Sequence, residues 1–146
     1  MEYLLEERLP TPAEHRAMFE AVGWQPYTGT EIALALQNSR YGVVALHDGA
    51  IIAMARVIGD GGKFYYIQDF AVRPDWQGQG IGRALMDRIM AWIKAAAPHE
   101  PFVGLFATEV AREFYAHYGF AERREVLSGM WMVVPREQSG RSPAQH

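Results

Sequence analysis

No cysteine occurs among the 146 residues, and that one absence removes disulfides, thiolate metal sites and thiol nucleophiles together. Positive charge is not in excess either: 14 Lys and Arg stand against 17 Asp and Glu, for a formal net charge of −3. No global basic field is therefore available to hold nucleic acid or an anionic membrane, and any anion must be bound locally. No apolar run approaches the roughly 18 residues that a membrane span requires. The opening MEYLLEERLP carries acids where a secretory signal would carry bases, so a soluble cytoplasmic protein is the expectation. The five histidines show no H-E-x-x-H or other ligand spacing and read as surface or capping residues, with no metal expected.

What is present suits one compact domain over residues 1–135, followed by a polar tail, 136–146, expected to be disordered. YLLEERL predicts a first strand. TPAEHRAMFEAVGW predicts a helix capped by Thr11, with Pro12 in its first turn, an apolar stripe at Ala17, Met18, Ala21 and Val22, and an end near Gly23. TEIALALQNS predicts a second, short helix capped by Thr30. The period then changes. Two strands around an Asp48-Gly49 turn and a third after GDGG form the central sheet. GRALMDRIMAWIKAAA places Leu85, Ile89, Trp92 and Ile93 at helical spacing, and Pro98 stops it. PFVGLFA predicts a strand, EVAREFYAHYG a helix ending at Gly119, and FAERREVLSGMWMVVP a closing hairpin or strand pair.

Between the third of these strands and the long helix stands WQGQGIG, with glycine at positions 78, 80 and 82. Glycine there costs roughly 0.5–1 kcal/mol against alanine, so the cluster implies a backbone geometry that side chains would obstruct. A strand that runs through such a loop into a helix presents unpaired N–H groups at the positive end of the helix dipole, an arrangement suited to phosphate oxygens. Walker A is excluded because Gly82 is followed by Arg83-Ala84 rather than by Lys-Ser/Thr. A dinucleotide loop is disfavoured because the glycines alternate and no βαβ unit precedes them.

Gln77, Gly80 and Gly82, in the pattern Gln-x-x-Gly-x-Gly after FAVRPDW, resemble the acetyl-CoA pyrophosphate loop of the GNAT superfamily of N-acetyltransferases. AREFYAHYGF resembles that family's second signature, and the likeness runs to about Pro135. It implies an α/β (mixed α+β) fold: a central mixed, mostly antiparallel sheet of about six or seven strands flanked by about four helices. It also implies acetyl-CoA as co-substrate. Backbone amides of Gln77, Gly78, Gln79, Gly80, Ile81 and Gly82 would cradle the pyrophosphate, Arg83 would touch phosphate or be solvated, and the strand edge at Phe70, Ala71 and Val72 would pair with the pantetheine amides. Where relatives often carry asparagine, this chain has Thr108, which can replace only part of an amide's contacts to that arm.

Tyr115 matches the family tyrosine that protonates the departing thiolate; read by itself it is a packing aromatic, as are Phe114 and Tyr118. Attack on a thioester needs a neutral amine, hence a proton acceptor. Asp69 is the candidate, on the expectation that burial raises its basicity, with a solvent-facing strand carboxylate or pairing to Arg56 across the sheet as the alternatives. Trp24, Tyr27 and Tyr41, with Tyr65, Tyr66 and Arg56 on the sheet, would line a cleft for a small amine, or would be core; Asp60 would attract an ammonium or form a turn. The reading is acetyl transfer to the primary amine of a small molecule. Its alternatives are an acyl-CoA-binding regulatory module with weak or no turnover, an enzyme acting on a protein amine, and a structural domain without ligand. Many relatives dimerise, and MWMVV would serve as an interface or as core.

Overall fold

A computed structural model describes residues 2–27 and 29–136 of the chain. The described residues fall into two compact units that divide between Leu105 and Phe106.

The first unit is a five-stranded sheet in sequential order with helices on both faces. β1 (Leu4–Glu6), β2 (Tyr41–His47), β3 (Ala50–Gly59) and β4 (Phe64–Val72) form an antiparallel meander, and β5 (Phe102–Gly104) joins β4 in parallel. β2 and β3 are joined at Asp48-Gly49, where both residues have positive φ, 48° and 78°, as a two-residue hairpin turn requires. The five buried residues in a row at the start of β2 follow from cover on both faces rather than one.

α1 (Pro12–Val22) is fixed at its start by a reciprocal capping box between Thr11 and Glu14, and Arg8 clamps the same Glu14 at 2.8 and 3.0 Å. The apolar stripe of α1 differs from the expected one. Ala17 and Ala21 are exposed, whereas His15, Met18 and Phe19 are buried with Val22 half-buried, which is the i, i+3, i+4, i+7 face. Met18 and Phe19 pack with Val44, Ile51, Met54 and Ala71 on one face of the sheet. α2 (Glu31–Gln37) follows; Thr30 precedes it without making a side-chain cap, because its backbone is already helical (φ −82°, ψ −9°).

α3 (Ile81–Ala96) covers the other face with Ile81, Leu85, Met86, Ile89 and Ile93. Its Trp92 stacks on Tyr41 at 5.0 Å and meets Tyr65 edge-on at 6.1 Å. Tyr41 and Tyr65 therefore belong to the α3 face, away from Trp24 and Tyr27, and do not join them in a cleft. Asp60 accepts three backbone N–H bonds from Gly62, Lys63 and Phe64, which makes it a turn former.

The second unit holds a 3₁₀ turn (Glu109–Ala111) leading into the short α4 (Arg112–Ala116). The expected closing hairpin is not formed: residues 120–136 contain no strand, so the described sheet has five strands, not six or seven. A strand needs a hydrogen-bonded partner, and among the described residues no strand pairs with this segment; Met130, Trp131 and Met132 are 89, 61 and 73% exposed. The expected tail lies outside the described residues from position 137 on.

Candidate active site

β4 leads through a short 3₁₀ turn (Pro74–Trp76) into the glycine loop and then α3. The Gln77 side chain reaches back and donates to the Val72 carbonyl at 3.0 Å, tying the loop to the end of the strand. Gly78 and Gly80 have φ of 78° and 83°, and a methyl group on either would meet nothing within 4 Å. These glycines supply left-handed backbone rather than room for a neighbour. Gly80 is the N-cap of α3 and offers no side-chain acceptor, and the first turn holds no acid. The first backbone bond of the helix runs from Ala84 N–H to Gly80 O. The N–H groups of Ile81 and Gly82 thus have no acceptor within the helix and stand at its positive end. Gln77, Gly78, Gln79, Gly80 and Arg83 are exposed, whereas the Ile81 side chain is buried. A helix start of this kind, with free backbone donors and no acid, has the chemistry that favours an anion.

The strand before the loop loses its strand neighbour part-way along one edge. β5 pairs only with Phe64–Tyr66, so no strand of the described sheet lies beside Phe70, Ala71 and Val72 on that edge.

A second site is built from side chains. On β4 the register passes from Gln68 opposite Arg56 to Ala71 opposite Met54, three steps against two, which marks a bulge at Asp69 and Phe70. Asp69 has φ 56°, a left-handed conformation that Asp tolerates better than most residues. The extra residue sets Gln68 and Asp69 on the same face, the one that α1 covers. There Asp69 is 4% exposed, and its carboxylate meets three donors among the described residues. His15 Nε2 and Arg56 Nε both lie 2.8 Å from Oδ2, and Gln68 Nε2 donates to Oδ1 at 3.0 Å. Burial alone would push the carboxyl up, but the His15 hydrogen bond and the Arg56 guanidinium outweigh it and hold the pKa at about 2. The expectation that burial makes Asp69 more basic is thereby corrected, because the carboxylate is paired where it is buried. Arg56 also donates to Ser39 Oγ at 3.1 Å.

His15 is the residue the sequence did not single out. It is 1% exposed, not a surface or capping residue, and its ring stacks on Phe19 at 4.4 Å and on Tyr27 at 5.9 Å. The signal was its spacing, since His15 shares a helical face with Met18, Phe19 and Val22. A cleft of about 230 Å³ between α1 and α2 is lined by Pro12, Ala13, His15, Arg16, Tyr27, Gly29 and Ile32. Of the residues expected to receive the acceptor, Tyr27 lines this cleft. Trp24 instead packs edge-on against Phe19 at 5.2 Å, Arg56 and Asp69 lie behind His15, and Tyr66 stays half-buried on β4.

In the second unit Tyr115 is buried, with its ring 5.2 Å from Phe114 and 6.1 Å from Phe120. Thr108 precedes the 3₁₀ turn, is exposed, and makes no side-chain cap.

Known proteins resemble this chain in sequence and fold. The model of a family described as "Acetyltransferase (GNAT) domain" matches residues 38–122. A chloroplastic serotonin N-acetyltransferase of Oryza sativa subsp. japonica is 32% identical over 127 residues, 83% of this chain and 62% of that protein. A histone acetyltransferase of Glycine max is 31% identical over 128 residues, 80% of this chain and 54% of that protein. The chain thus spans only 54–62% of the length of these two relatives. Among solved structures, a Staphylococcus aureus protein of unknown function, described as a probable acetyltransferase, superposes with a TM-score of 0.85 at 30% identity, over 91% of this chain and 100% of its own. A GNAT family acetyltransferase of Streptococcus pneumoniae does so with a TM-score of 0.76 at 27% identity, over 93% and 100%. From the uncapped glycine loop to the match over more than half its length, the chain belongs to the GNAT family of acetyltransferases.

Proposed function

We propose that this protein moves the acetyl group of acetyl-CoA to the primary amine of a small molecule by direct attack. Members of the GNAT family use acetyl-CoA as co-substrate and act on an acceptor amine. The observation that carries the reading is the start of α3, where left-handed Gly80, the absence of a side-chain cap and the lack of acids leave helix N–H groups for a pyrophosphate. Pantetheine amides would add to the β4 edge at Phe70, Ala71 and Val72, beyond the reach of β5.

The chemistry needs a neutral amine and a leaving thiolate. As the C–N bond forms, one N–H proton leaves the nitrogen; as the C–S bond breaks, the sulfur takes a proton. A thiol has an ordinary pKa near 8.5, so this last step needs only modest help. Tyr115, assigned by its match to the second signature, is the proposed donor, and its loss would slow turnover rather than abolish it. The cleft of about 230 Å³ lies below the usual range of roughly 300–1,000 Å³ for drug-sized ligands, which favours a small amine over a long peptide.

Thermal unfolding with and without acetyl-CoA tests the first half of this reading. A ligand bound only by the folded state adds about 2.7 kcal/mol at a hundredfold excess over Kd. The midpoint should rise, and thiol release should follow when a panel of small primary amines is added. No shift at millimolar acetyl-CoA would remove the reading. A shift with no turnover on small amines or on lysine peptides would favour an acyl-CoA-binding module, and turnover on peptides alone would favour a protein amine.

A further inference from the structure

The geometry points to His15, held by Asp69, as the general base that takes the proton of the acceptor amine, with Nδ1 as the accepting atom. Four observations meet on this ring. It is buried by its own helix and by Tyr27, yet it lines the cleft between α1 and α2. Its Nε2 lies 2.8 Å from Asp69 Oδ2. The Asp69 carboxyl, held at about 2, is ionised and can only accept, so Nε2 carries the proton in that bond. Nδ1 makes no hydrogen bond among the described residues, and in this tautomer it presents a lone pair.

Asp69 does not serve as the base itself. Its Oδ2 accepts from His15 and Arg56, its Oδ1 accepts from Gln68, and it does not line the cleft. A carboxylate held that low is also a poor proton acceptor. Asp69 is a positioning residue: it fixes the tautomer and the ring plane and steadies the imidazolium once formed. Arg56, bonded to the same oxygen, anchors the carboxylate on β3. The charged or titratable groups about the ring are Asp69 on β4, Arg56 on β3, Arg16 on α1 at the cleft and Tyr27 after α1; α2 contributes apolar Ile32.

The step rests on acetyl transfer as proposed above. The neutral amine attacks the thioester carbonyl carbon, the C–N bond forms, and one N–H proton passes to Nδ1. The C–S bond then breaks and the sulfur takes a proton from the acid. The imidazolium returns its proton to solvent, and the acid is reprotonated from solvent, leaving amide and thiol.

The test uses the full chain, acetyl-CoA and 2-phenylethylamine as the probe amine. His15→Gln should lower kcat by about 100-fold or more, the scale of a lost general base, while the acetyl-CoA-induced rise in melting midpoint stays as in the wild type. The acid-side inflection in the pH profile should vanish in the variant. A loss of less than threefold, or an unchanged pH profile, would overturn the assignment. Because a substituted core residue can unfold, a second measurement uses the wild type alone. The ¹⁵N shifts of the His15 ring at pH 8 should show a protonated Nε2 and a bare Nδ1, and Asp69→Asn should mix the two forms. A protonated Nδ1 in the wild type would overturn the assignment whatever the kinetics. Absence of any acetyl-CoA shift would instead strike the acetyltransferase reading, and the ring spectrum would then decide the His15 geometry by itself.

Discussion

The two halves of the candidate site, the loop after β4 and the side-chain network at the β4 bulge, rest on different physics. The loop is exposed over residues 77–80 and offers backbone N–H groups framed by glycine. The network of His15, Arg56 and Asp69, with half-buried Gln68 at its edge, is made of side chains drawn from α1, β3 and β4. A backbone site tolerates almost any loss of side chain but not a gain, whereas a buried charge network tolerates neither. Mutations should therefore separate the two: the network should fail in stability, the loop in ligand binding.

The largest expected effect is Asp69→Ala. It leaves the Arg56 guanidinium buried without its carboxylate and His15 Nε2 without its acceptor. Removing one partner of a buried pair typically costs about 3–5 kcal/mol. Urea unfolding measures this, and a cost below about 1 kcal/mol would erase the difference between the two regions.

Acid should act on the network next. Folding lowers the Asp69 carboxyl from 3.8 to about 2, so the folded state binds its proton less readily than the unfolded chain. The stabilisation is fully present above the unfolded value and is lost as pH falls from about 4 towards 2. At 1.36 kcal/mol per pKa unit the loss is about 2 kcal/mol. Asp69→Asn should flatten the stability curve over that window, while Gly80→Ala should leave its shape unchanged.

The contrast also explains what could be read in advance. The loop was visible because everything it needs is local: three glycines, a preceding strand and a following helix lie within a few residues. The caps of α1 and the Asp48-Gly49 turn were visible for the same reason. The network was not, since Asp69 meets His15 across 54 positions and Arg56 across 13. Its geometry also depends on a bulge that alternation of residue types does not reveal. Asp69 drew notice as a lone acid in an apolar strand, but its partners decide its chemistry. The closing hairpin is expected because the apolar residues at 130–134 carry strand propensity, but propensity does not supply a partner strand.

Gly80→Val sharpens the loop's side of the contrast. At φ 83° a β-branched residue is strained, and the expected stability loss is about 1–2 kcal/mol, read by urea unfolding. The acetyl-CoA-induced rise in melting midpoint should fall far more than that loss explains, because the helix start must move to relieve the strain. If the rise survives intact, the pyrophosphate does not sit on those amides.

Thr11→Ala is the mildest change and asks whether the network depends on how α1 begins. The Thr11 hydroxyl accepts from Glu14 N–H at 3.1 Å, and the Thr11 N–H donates to Glu14 Oε1 at 2.8 Å. His15 follows directly and its own N–H bonds the Thr11 carbonyl at 2.9 Å. Losing the cap should cost about 1 kcal/mol. The backbone bond survives the substitution and Arg8 still clamps Glu14, so the His15 ring should stay on Asp69 and its ¹⁵N tautomer signature should not change. A mixed signature would mean that the network is held in place by the helix start rather than by its own ion pairs, and the division between a local site and a long-range one would no longer hold.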